Sequence, residues 1–182
     1  DRQVRELDRA GHLLPLNAAL AAGYCTYLGP QPEDRRLKCK QHWEELAKDA
    51  GGKAGGFQQF DFLRFMSTES ELLTYKGEGL PSDQLSMENG LVILNSSTTM
   101  WPFIVDPNTQ AVVWLQHRLG SKGTETVLLQ DAKFITTLEL SVRFGKTLVV
   151  QEADTVEPFL FPLLRRDLTN QGPRKVVQVG EK

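Results

Sequence analysis

The sequence is short of several features that would announce a function directly. Its 182 residues include two cysteines, Cys25 and Cys39, too few for a disulfide framework, and this points to a reducing compartment. His12, His42 and His117 share no metal-ligand spacing. Cys39 lies three residues before His42 on one expected helix, but no second Cys/His pair completes a four-ligand zinc site, so no metal is expected. No Gly-x-Ser-x-Gly elbow is present for a hydrolase nucleophile. Charge of one sign is scarce as well: 21 Lys and Arg against 23 Asp and Glu leave a net charge of -2. A nucleic-acid surface draws its affinity from many phosphate contacts, so that class of partner is excluded. The longest apolar run, 18–25, is half alanine and falls far short of the roughly 18 to 20 residues that cross a bilayer. No membrane insertion is expected. The N-terminus has neither a leader pattern nor an initiator Met, and the chain reads as a piece of a longer one.

What is present is an ordinary apolar content, 40%, arranged in two patterns. Residues 1–50 read as helical. Leu13, Leu14, Leu16, Leu20 and Tyr24 lie near helical spacing, Pro15 is expected to interrupt a turn, and Gly29-Pro30 stops the run. A second helix begins near Pro32 with Glu33 and Asp34 in its first turn and an apolar stripe of Leu37, Trp43, Leu46, Ala47 and Ala50. The segment 51–56 holds four glycines in six residues and reads as a flexible joint. Phe57, Phe60, Phe62, Leu63, Phe65 and Met66 then cluster, and Thr68-Glu69-Ser70-Glu71 has capping-box spacing. From Gly79-Leu80-Pro81 onward, short apolar runs alternate with helical segments. Expected strands are 91–94, 103–105, 127–129, 147–150 and 176–179; expected helices are 83–89, 107–119, 132–144 and 157–168, with Gly90, Gly120 and Gly145 as stops. Alternation of this kind predicts an α/β fold, a mainly parallel sheet covered by helices.

Such a sheet invites a search for a phosphate loop, Gly-x-x-x-x-Gly-Lys-Ser/Thr between strand and helix. Gly145-Lys146-Thr147 has the tripeptide in the reverse order, at a helix exit and a strand entry, with Leu140 at the first-glycine position. Gly52-Lys53 follows a helix and is followed by Ala54. The topologically correct turn is 106–113, where Asp106 takes the first-glycine position, Ala111 the second, Val112 the lysine and Val113 the hydroxyl residue. Asp106 reads as a helix cap with Pro107 at the first helical position, so the helix supplies its own anion. A carboxylate about 4 Å from a phosphate costs roughly 1 to 4 kcal/mol per charge pair, depending on the local dielectric. The second half of such a site, a strand ending in Asp-Glu, reads Gln151-Glu152 here, and a neutral glutamine is a poor ligand for a hard cation. Glu152 reads as a relic of a catalytic base or as a solvated strand end.

The run 79–90, Trp101-Pro102-Phe103-Ile104-Val105-Asp106-Pro107, Gln110-Ala111, Trp114-Leu115, Arg143-Phe144-Gly145-Lys146, Glu157-Pro158 and Pro162-Leu163-Leu164 together resemble the fifth AAA+ module of dynein heavy chains. The stretch from Leu20 to Pro30 looks like the segment that follows the returning helix of the dynein stalk. Within the family, 161–168 and Gln171-Gly172-Pro173 look most like the cytoplasmic dynein 2 subfamily, the retrograde motors of intraflagellar transport. Lys76 and Ser97-Thr98-Thr99-Met100 depart from the family pattern.

The resemblance implies an incomplete AAA+, P-loop NTPase-like parallel sheet with helices on both faces, preceded by an α-helical segment. It divides the chain into 1–50, the end of the preceding module after the stalk; 51–56, the joint; and 57–182, a C-terminally incomplete large subdomain. The implied role is a non-catalytic, force-transmitting ring module of an ATP-driven, minus-end-directed microtubule motor in the cytoplasm and the cilium or flagellum. No catalytic residue and no cofactor are expected in this piece, with ATP and Mg held by other modules. Implied partners are the neighbouring AAA+ modules, the other subunits of the dynein complex and microtubules. Two alternatives stand beside it: an interaction platform around Trp101 and Arg165-Arg166, and a residual nucleotide module using Glu152.

Overall fold

The computed structural model describes residues 2–50, 57, 59–96, 101–120 and 123–179. The chain divides into two compact units, 1–105 and 106–182.

The described part of the first unit is helical. Helix α1 (Arg2–Gly23) runs into a π-helical turn, Tyr24–Leu28, before Gly29-Pro30 ends it. Pro15 sits inside α1 instead of breaking it. The carbonyl it leaves without a donor belongs to Gly11, which is exposed, so water can take the lost bond. Helix α2 (Glu33–Ala50) starts as expected, with Glu33 and Asp34 at the positive end of its dipole. Ala47 of the expected stripe is buried, but Leu37 and Leu46 are exposed and the charged Arg36 is buried. The joint at 51–56 lies outside the described residues.

Helix α3 (Phe62–Met66) is capped by Asp61, and α4 (Glu69–Gly77) by the full Thr68/Glu71 capping box. Phe62 stacks on Tyr24 at 4.0 Å, which binds α3 to the π turn. Helix α5 (Gln84–Ser96) runs straight through Gly90 and absorbs the strand expected at 91–94. A run of four apolar residues fits either structure. Here Met87 and Leu91, four apart, are both buried on one helical face, and Gly90 is buried within the helix instead of ending it. The expected strand 103–105 takes part in no ladder among the described residues, and Phe103 (73%) and Val105 (85%) are exposed.

The second unit holds the mixed α/β part. Helix α6 (Gln110–Leu119) ends at Gly120 and leads to β1 (Thr124–Leu128); α7 (Phe134–Phe144) crosses to β2 (Thr147–Gln151), which pairs with β1 in parallel from Thr124↔Thr147 to Leu128↔Gln151. β2 and α7 fall close to their expected spans, while β1 starts three residues before the expected 127–129 and ends one residue short of it. Phe134, Leu138 and Ser141, spaced four and three apart, form the buried face of α7. Val127, Phe134 and Leu138 form a buried cluster on which Leu148, Val150 and Phe159 pack, and Trp114 and Leu115 of α6 are buried as well. Gly145 stops α7 in the left-handed conformation (φ 65°), with the Lys146 N–H on the Ser141 carbonyl at 2.9 Å.

The helix expected over 157–168 is shorter. A 3₁₀ turn (Pro158–Leu160) runs into α8 (Phe161–Arg165), and the chain then folds into a hairpin of β3 (Thr169–Gln171) and β4 (Arg174–Val176). The strand expected over 176–179 is therefore displaced: β4 ends at Val176, and its partner is antiparallel. Gly172 at φ 60° provides the turn.

Candidate functional site

The turn that would hold a phosphate loop leads into α6, but the helix begins three residues later than expected. Asp106 to Thr109 form a turn closed by the Thr109 N–H on the Asp106 carbonyl at 3.2 Å, and Thr109 is the N-cap, with a left-handed backbone at φ 57°. Left-handed conformation is strained for a β-branched residue. Pro107 therefore precedes the helix, and Asp106 lies three residues before the cap position. Its carboxylate nevertheless accepts the Val112 N–H at 3.0 Å. Val112 is the third residue of α6, so its amide is among the donors that a helix start leaves unsatisfied, and Asp106 places a negative charge on the positive end of the dipole.

The side chains at the remaining motif positions, 111–113, are apolar. Ala111 and Val112 are half-buried and Val113 is exposed, so a methyl stands at the second-glycine position and two isopropyl groups stand where a lysine and a hydroxyl would act. At the end of β2, Gln151 pairs with Leu128, and its carbonyl accepts the Leu129 N–H at 3.1 Å. Glu152 follows, exposed and left-handed at φ 55°. Among the described residues, no hydrogen bond or ion pair joins the Gln151 or Glu152 side chain to the loop at 106–113, and no cluster of three His, Cys, Asp or Glu has metal-binding geometry. Lys146 is held instead by Glu125 on the neighbouring strand at 2.7 Å. Arg166 caps the end of α8, its N–H on the Leu163 carbonyl, and Arg165 lies over the Phe161 ring at 5.3 Å.

A second polar assembly, in the first unit, was not expected from the sequence. Tyr24 (1% exposed), Arg36 (5%) and Glu88 (6%) meet in its interior. The Tyr24 hydroxyl donates to Glu88 Oε2, and the Gln84 amide donates to Glu88 Oε1 at 2.9 Å. Arg36 Nη1 lies 3.5 Å from the Tyr24 hydroxyl and 3.9 Å from Glu88 Oε2. Arg36 also donates to Asn89 Oδ1 and the Gly29 carbonyl, each at 2.6 Å, and to the Gln31 carbonyl at 2.8 Å. Burial, and then the bond to Glu88, hold the Tyr24 hydroxyl well above the usual tyrosine range, so it stays a proton donor. No local signal marks Arg36 as interior, because its partners come from three separate segments.

A helix leading into a parallel strand–helix–strand crossover is the architecture of a partial AAA+ domain. Residues 73–182 match the family model described as the ATP-binding dynein motor region, and the chain belongs to that family. Over 180 residues it is 52% identical to cytoplasmic dynein 2 heavy chain 1 of Mus musculus, a match that covers 99% of this chain. The protein of that name from Chlamydomonas reinhardtii is 52% identical over 171 residues, 93% of this chain, and that from Caenorhabditis elegans 34% over 180 residues, 99% of this chain. The chain spans 4% of the length of each of these relatives.

Proposed function

We propose that this chain is a non-hydrolysing AAA+ module of a dynein heavy chain, the fifth of its ring, with the end of the preceding module and the stalk base in its first 50 residues. On this reading it transmits force within a minus-end-directed microtubule motor for retrograde intraflagellar transport, acting in the cytoplasm and the cilium or flagellum. ATP and Mg are held by other modules, and the contacts of this one are its ring neighbours. The observation that carries the reading is the Asp106 carboxylate on the Val112 amide, with no ammonium or hydroxyl at Val112 and Val113. Glu152 without a metal-binding neighbour lacks the parts that make phosphoryl transfer work together. The stalk-base reading draws support from α1. Val4, Leu7, Gly11, Leu14, Ala18 and Ala21 recur at alternating spacings of three and four, the pattern of a coiled-coil seam, and Val4, Leu7 and Leu14 are exposed.

Calorimetric titration of the chain with ATP and ADP tests the proposal. No site of millimolar affinity or tighter is expected, and a clear affinity would sink the non-catalytic reading. Asp106→Ala should cost on the order of 1 kcal/mol, since it removes the acceptor of the Val112 N–H at the helix start. If it instead creates a nucleotide site without loss of stability, Asp106 acts as a charge barrier and not as a cap. A second reading, an interaction platform, is favoured by the exposure of Trp101, Phe103 and Val105 in one extended stretch. Pull-down with the adjacent modules, unchanged by Trp101→Ala and by Arg165→Glu/Arg166→Glu, would count against it.

A further inference from the structure

The π turn at Tyr24–Leu28 lies where the buried polar assembly is densest, and the two explain one another. A π turn is an α-helix with one residue too many, closed by i to i+5 bonds, and it is rare because the wide turn packs poorly along its axis. Something outside the helix has to hold it, and here the contacts fall at both ends. At the start, Tyr24 is stacked on Phe62 and bonded to Glu88 of α5. At the end, Arg36 of α2 takes the Gly29 and Gln31 carbonyls while its other nitrogen faces the Tyr24 hydroxyl. One guanidinium thus spans the wide turn. Glycines bracket it: a Cβ on Gly23 would meet the Trp43 ring at 3.3 Å, and one on Gly29 would meet Val92 at 3.1 Å, so α2 and α5 press against the ends of the turn where a side chain would keep them off.

We infer that Tyr24–Leu28 is a two-register joint, held in its wide form by Arg36 and Glu88, whose release lets the turn close to ordinary α-helix and rotates α1 by one residue. With the chain length fixed, closing the turn moves everything before it by about 100° of rotation and about 1.5 Å along the axis. Tyr24 then leaves Glu88, so the contact and the register are one equilibrium. The cluster borders a cavity of about 20 Å³ lined by Arg36, Leu37, Lys40 and Glu88 among others, which is room for a water beside the released groups. This inference stands apart from the motor reading, since it uses only the packing of the first unit.

The test uses the full chain with bio-orthogonal spin labels at two exposed positions, Ala10 on α1 and Lys76 on α4, and reads the distance between them. Wild type should give one distance, and Arg36→Met should add a second, displaced by several ångströms as α1 turns. Deleting Thr26 removes the extra residue, so α1 should keep the wild-type distance and lose its response to Arg36→Met. A side chain that merely stabilises the fold would act alike in both backgrounds. The proposal is overturned if Arg36→Met leaves a single wild-type distance, if it shifts the distance equally in both backgrounds, or if the chain without Thr26 fails to fold. Should Arg36→Met unfold the first unit, Arg36→Lys keeps the charge, loses the fork to the two carbonyls, and carries the same comparison.

Discussion

The two units bury different things. Within an otherwise apolar interior the first encloses Arg36 and Glu88, bonded to the π turn, the loop after it and α5, whereas the described buried residues of the second are Trp114, Leu115, Val127, Phe134 and Leu138 with Ser141 as the polar one. A buried charge is tolerable only with nearly all its bonds made, so the first unit is specified by geometry: few arrangements of three helices satisfy one guanidinium. An apolar core is specified by volume and tolerates small shifts more readily. The difference locates register control in the first unit and plain packing in the second.

The sharpest way to break the contrast is Glu88→Ala. It strips the Tyr24 hydroxyl and the Arg36 guanidinium of their shared acceptor, and removing one partner of a buried pair costs about 3–5 kcal/mol. Hydrogen exchange should show the loss across α1, α2 and α5 and not in the crossover; a cost below about 1 kcal/mol would mean that the cluster is effectively solvated. In the second unit, Leu138→Ala should cost about 2–5 kcal/mol as a cavity, read as lost protection in β1, β2 and α7. Equal spread of that loss through α2 and α5 would erase the distinction between the units.

What the sequence disclosed follows from the same contrast. The Thr68/Glu71 box, the stops at Gly120 and Gly145, β1 and β2 are set by neighbours within a few residues, and these were legible. The start of α6 was not: Asp106 and Pro107 resemble a cap and first turn, but a closed turn intervenes, and the carboxylate reaches Val112 across it. Gly90 looks like a helix stop and is buried mid-helix. The π turn and the burial of Arg36 are invisible locally, because their causes lie up to 64 residues away, as in the bond from Tyr24 to Glu88.

Smaller effects sharpen the comparison at the element ends. Gly145→Ala forces a side chain into the left-handed region and should cost about 1–2 kcal/mol, confined to the α7–β2 junction. Denaturant midpoints resolve a change of that size, and an unchanged midpoint would show that Lys146 and Ser141 hold the junction without the glycine.

The smallest effect is in the first unit, at the start of the helix that carries Glu88. Asp83 accepts the Ser86 N–H at 2.9 Å, and that bond holds its carboxyl below the ordinary range. A carboxyl depressed by folding contributes stability above its unfolded pKa of about 3.9, and the contribution is lost as the pH falls through the folded value. Asp83 is exposed, so water screens the charge and the whole effect of Asp83→Ala should stay under about 1 kcal/mol at neutral pH. The gap between wild type and Asp83→Ala should shrink as the pH drops below about 4, while the difference between Asp83→Asn, which keeps an acceptor oxygen without a titrating proton, and Asp83→Ala should not depend on Asp83 ionisation. A gap for Asp83→Ala that persists unchanged at low pH would mean that α5 is positioned by Glu88 and its buried partners alone, and that the cap contributes nothing through its charge.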